Sequence, residues 1–185
     1  ESECTDDPYY GGLCTEAGGT WDCTYPYDVI CGRPLVVDGD ARTTAAVHRD
    51  DWSASIEPSL PTTAAERETL ASHWRQIAAM EHASVASFAR VTMELMALGA
   101  PPELLVATQR AGVDEVTHAR LAYGLAGAYG AAAGPGPLPL DGVTLSCDRA
   151  GVVDALVLEA CVAETVAVAE VRAAALCCED PAVRS

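Results

Sequence analysis

The chain contains no lysine. Its eleven basic residues are all arginine, against 27 acids, for a formal charge of −16. This excess of acid excludes nucleic-acid binding, which needs a basic footprint to displace phosphate counterions. It also opposes docking on anionic membranes. Long hydrophobic runs are missing too. No stretch approaches the roughly 18 apolar residues that a spanning helix needs, so no membrane span is expected. Half of the 185 residues are nevertheless apolar, enough for one domain with a real core. Eight cysteines are many for a reducing compartment, and the chain opens on polar residues at Glu1. Together these point to an exported protein, extracellular or periplasmic, with any signal peptide already removed.

The texture divides the chain in three. Residues 1–33 hold Cys4, Cys14, Cys23 and Cys31 at spacings of 10, 9 and 8, without a period long enough to bury a core. A segment this short needs staples, so a small module closed by two disulfides is expected. The wide spacings argue against zinc, and three pairings stay open. Residues 34–61 read as a connector, in which Leu35-Val36-Val37 followed by Asp38-Gly39 suggests a strand and turn. Residues 62–185 are alanine-rich and helical, interrupted at Pro101-Pro102, at Gly134 to Pro139 and at Asp180-Pro181. The expected helices run over about 63–98, 102–131 and 148–178, each about 45–55 Å long, and must pack side by side as a bundle. Thr62 or Thr63 caps the first, with Glu66 placed for a capping box.

Each helix carries a seam at alternating steps of four and three. The first runs Leu70, Trp74, Ile77, Glu81, Ser84, Phe88, Val91, Leu95, Leu98. The second runs Leu104, Thr108, Ala111, Glu115, His118, Ala122, Leu125, Tyr129, and the third Val157, Cys161, Glu164, Val168, Val171, Ala175. A glutamate interrupts every seam. If the first two helices form a hairpin at Gly99-Pro101, Glu81 lies about 18 residues before the turn and Glu115 and His118 about 15 and 18 after it. At about 1.5 Å per residue all three stand at one level. The connection from Ala132 to Cys147, about 16 residues at about 3.3 Å each, is long enough to return along a whole helix. The third helix then runs parallel to the second and brings Glu164 to the same level. Glu94 falls well below it, and Glu159 lies about 140° around from Glu164. A single glutamate or histidine in a seam is ordinarily a hydrogen-bonded core residue. Three carboxylates and an imidazole at one level repel and desolvate one another unless a cation joins them. Glu81, Glu115, His118 and Glu164 are therefore the candidate metal ligands.

These residues resemble the ferritin-like di-iron carboxylate superfamily, in its rubrerythrin-type and secreted ferritin-like members. Glu81 in MEHASVASF, Glu115 and His118 in DEVTHARL, and ALGAPPELL between them carry the resemblance, which covers residues 62–185. It implies an all-α, up-down-down-up bundle, with three long helices present and a fourth truncated, behind the cysteine-rich module. It also implies a two-iron site, with manganese or zinc possible in place of iron. Glu81 would be a terminal ligand, Glu115 a bridge, His118 an iron ligand and Glu164 the third helix's carboxylate, with Asp114 and Arg120 as outer contacts. The activity implied is oxidoreductase chemistry on O2, peroxide or iron itself. The family's fourth helix carries a second Glu-x-x-His, whereas only about one turn follows Asp180-Pro181 here. A severed C-terminal half, or another chain in a homo-oligomer or other assembly, is then expected to fill that groove. Two other classes stay open: a structural or assembly protein with a vestigial site, and a disulfide-stapled binding module on a helical stalk.

Cys147 and the Cys177-Cys178 pair are expected at opposite ends of the third helix, too far apart to bond each other within a chain. At least one of them is expected to bond elsewhere, and Cys161 to be a buried thiol.

Overall fold

The computed structural model describes residues 33–184 in full, together with the backbone of two strands, β1 (Leu13–Ala17) and β2 (Thr20–Thr24). These two pair antiparallel with Cys14 opposite Cys23. The expected disulfides among Cys4, Cys14, Cys23 and Cys31 lie outside the described residues.

The chain is mostly helical: a long packed pair, α1 (Ala64–Ala97) and α2 (Pro102–Tyr129), plus a third helical run of 29 residues. Local signals start and stop the pair. Thr63 accepts from the Glu66 N–H while the Glu66 carboxylate accepts from the Thr63 N–H, the expected capping box. At the other end Gly99 takes φ 68°, its N–H reaching Met96 O while Ala100 N–H reaches Leu95 O. That double bond is a Schellman stop. Pro102 then opens α2 where a missing N–H costs nothing. Many buried positions of the pair are small, among them Ala71, Ala78, Ala83 and Ser84 on α1 and Ala119, Ala122 and Ala126 on α2, beside the larger Val91, Leu95, Tyr123, Leu125 and Tyr129. Small side chains let two helix backbones approach closely where they face each other.

The connector is a strap along this pair. β3 (Val36–Val37) and β4 (Asp40–Ala41) form the expected hairpin, with Asp38 and Gly39 both at positive φ, as a tight two-residue turn requires. Leu35 is buried and its N–H reaches Ala83 O on α1. Further on, Trp52 sits edge-on between His82 of α1 and Tyr123 of α2. Ile56 packs on Ala71, Leu125 and Tyr129. Ala54 donates to Arg120 O at 3.0 Å, so close that a Cβ at Gly124 would stand 2.3 Å from Ala54 O. Glycine is needed there. β5 (Ala46–Val47) pairs with β6 (Gly134–Pro135) and ties the strap to the crossover after α2.

The third run comprises α3 (Arg149–Leu156), a π-helical turn (Val157–Ala163) and α4 (Glu164–Cys177). It begins beside the C-terminal end of α1, where Glu94 accepts the Ser146 N–H at 3.0 Å. It ends near the start of α1, where the Asp180 carboxylate accepts the Ser59 N–H. It is thus antiparallel to α1 and parallel to α2. Asp180 caps the short α5 (Pro181–Arg184), whose Val183 joins the Ala71–Leu125–Tyr129 cluster.

The expected seam of this third helix is not buried. Val157, Cys161, Val168 and Val171 are exposed, and the buried side chains are Val152 and Ala167. The π turn inserts an extra residue into the rotation, so a strict alternation of three and four loses phase there. Cys161 is an exposed thiol rather than the expected buried one. No disulfide occurs among the described residues, and no described helix is long and apolar enough to cross a membrane.

Candidate metal centre

α1 and α2 bring Glu81, Glu115 and His118 together. One potential ligand atom from each lies within 4.8 Å of the other two. Equal distances from the Gly99 turn place them level, and the three-residue step sets Glu115 and His118 on one face of α2. His118 Nδ1 is 3.5 Å from Glu115 Oε2 and 3.6 Å from Glu81 Oε2. These are ion-pair distances, longer than good hydrogen bonds. The carboxylates are nearly buried, while the imidazole is 55% exposed.

The electrostatics follow from that placement. The Glu115 carboxylate first, then Glu81, favours protonated His118 and pushes its pKa up to about 10, against partial burial. Burial pushes the Glu115 carboxyl above its usual range; His118 opposes the shift and Glu81 adds to it. Glu164 is also raised, first by burial and then by the Glu115 charge, with Arg33 and His118 pulling the other way. Glu164 therefore stands within electrostatic reach of Glu115 and His118, beside the tight group rather than in it. Two carboxylate oxygens, Glu115 Oε2 and Glu164 Oε1, are sealed from solvent and accept no hydrogen bond; Glu115 Oε2 has only its 3.5 Å ion pair with His118. Unpartnered buried carboxylate oxygens are costly, and a cation would satisfy them. Hard oxygen donors with one imidazole suit iron, manganese or zinc. An open cleft of about 360 Å³, lined by Glu164, Thr165, Val168, Ala169 and Arg172, abuts the Glu164 side.

Neighbouring residues take other roles. Glu159 Oε2 accepts from Arg90 at 2.6 Å and Arg33 at 3.3 Å. Glu94 is buried, but at the crossover. His82, adjacent to Glu81 in sequence, points to Trp52 of the strap. Asp114 and Arg120, expected as outer contacts, have exposed side chains. Their positions beside the motif turn them away, because successive helical residues differ by about 100°. Sequence reasoning missed Arg33 and Arg90. Arg33 reaches Glu159 across 126 positions, a separation that no local pattern signals.

No family model, no curated protein and no solved structure matches the chain.

Proposed function

We propose that this chain is a secreted ferritin-like protein, extracellular or periplasmic, in which Glu81, Glu115, His118 and Glu164 hold iron, with manganese or zinc as substitutes. The observation that carries this reading is the convergence of three ligand atoms from two helices within 4.8 Å, with Glu164 Oε1 buried and without a partner. Iron bound there would supply one-electron redox chemistry toward O2, peroxide or further iron. The chain's own contribution is positional and electrostatic. Glu81 and Glu115 provide negative charge from a desolvated wall, which strengthens attraction to a cation. His118 must give up its proton before its Nδ1 can ligate. The exposed imidazole edge leaves a path for exchange.

The test is anaerobic Fe(II) binding by calorimetry on the chelator-stripped full chain, beside E81Q, E115Q and H118A. Saturable uptake of one or two irons, weakened by each substitution, is expected. A folded wild type that takes up no iron, manganese or zinc overturns the reading.

A second reading is an assembly protein with a vestigial site, whose third helical run is covered by another copy of the chain. What favours it is the outward apolar face of the third run, with Leu158 67% and Leu176 87% exposed. Light scattering on metal-free protein tests it, since a concentration-independent monomer rules it out.

A further inference from the structure

Apolar burial does little to set the rotation of the third helix. Val152 and Ala167 are buried, but Val157, Val168 and Val171 are all about half exposed. One Glu164 carboxylate oxygen is nonetheless sealed from solvent without a hydrogen-bond partner, on a run that lies parallel to α2. Two features account for this rotation. The turn immediately before Glu164 is π-helical, and closure at i→i+5 brings residues five apart toward one face. Glu159 and Glu164 are such a pair, whereas an ordinary α-helix would hold them about 140° apart. Glu159 is also pinned. Its Oε2 accepts from Arg90 Nη2 at 2.6 Å, and from Arg33 Nη2 and Nε at 3.3 and 3.4 Å. Arg33 is a fixed anchor: it is 2% exposed, its guanidinium lies 5.2 Å over the Phe88 ring, and its N–H donates to Ser84 Oγ.

We propose that Arg33, Arg90, Glu159 and the π turn form a positioning device, in which the clamp on Glu159 sets the helix rotation and the π turn carries it to Glu164, aiming that carboxylate at Glu81, Glu115 and His118. The proposal rests on the metal reading of that group. The π turn buries none of its own side chains, so packing does not hold it in place. Through Glu159 the clamp ties it to Arg90 on α1 and to Arg33 on the strap.

Co(II) is the probe, titrated into the chelator-stripped full chain and read by its visible ligand-field bands, with circular dichroism to confirm folding. E164Q is expected to shift the bands and weaken binding about tenfold to hundredfold. E159Q, and deletion of the exposed Leu158, are expected to reproduce that band shift and loss with Glu164 still present, and E159D to recover part of both. The deletion restores α-helical register and turns Glu164 away without removing any charge. It carries the test if E159Q fails to fold because Arg33 is left buried and unpaired. Wild-type bands and affinity in the folded deletion and E159Q variants, beside an altered E164Q, overturn the positioning proposal alone. So does an unaltered E164Q. An E81Q variant indistinguishable from wild type overturns the metal reading and this proposal with it.

Discussion

His118→Ala offers a metal-free probe of the charge arrangement. In the wild type a protonated imidazole stands 3.5 and 3.6 Å from two carboxylates. Removing it leaves Glu81 and Glu115 facing each other with oxygens within 4.8 Å. At that distance two unit charges repel by about 1 kcal/mol in water and about 3.5 kcal/mol at an effective dielectric constant of 20. The open side where the imidazole stood admits water, so about 1–3 kcal/mol of destabilisation at pH 7.5 is expected. The sign with pH is determined. His118 has its folded pKa raised from 6.5 to about 10, so its contribution is present below about 6.5 and fades as pH climbs through 10. Glu115 is raised as well, so the folded state binds its proton more tightly than the unfolded chain does. The variant therefore recovers on acidification, as Glu115 takes up its proton and the repulsion is lost. Urea denaturation in EDTA between pH 4 and 9 measures this, with H118A/E115Q as the control that removes the repulsion. A deficit equal at every pH, or one that E115Q does not relieve, refutes the electrostatic account and leaves His118 a packing residue.

Metal binding should weaken steeply as pH falls from 9 to 6, with proton release seen as a buffer-dependent calorimetric enthalpy, because the cation competes with the proton on His118. Gly124→Ala should cost about 1–3 kcal/mol in thermal or urea unfolding, since its Cβ would meet the Ala54 carbonyl of the strap; an unchanged midpoint would show that the strap does not hold that position. Cys161 should alkylate rapidly in the native protein, as its exposure demands, and Cys4, Cys14, Cys23 and Cys31 should be recovered as disulfide-linked peptides under non-reducing mapping.

Much of the helical scaffold was legible in the residues themselves. The capping box at Thr63, the stop at Gly99, the proline opening of α2 and the Asp38-Gly39 turn all follow from neighbours within a few positions, and the structure places each where the sequence indicated. The grouping of Glu81, Glu115 and His118 was legible for a related reason. Once the hairpin turn is located, the constant rise per residue sets which positions share a level. The direction of the third helix followed from the reach of its crossover.

The rotation of that third helix was not legible. Its seam was read as a continuous α-helical phase, but a π turn interrupts that phase, and Val157, Cys161 and Val171 are exposed. The role of Glu159 depends on Arg33 and Arg90, which lie 126 and 69 positions away. Periodicity and rise are properties of a chain and its near neighbours, so the sequence alone determined the helix pair and the level of its charged residues. The turning of one helix about its own axis is chosen by contacts between remote segments, and only the tertiary structure decided it.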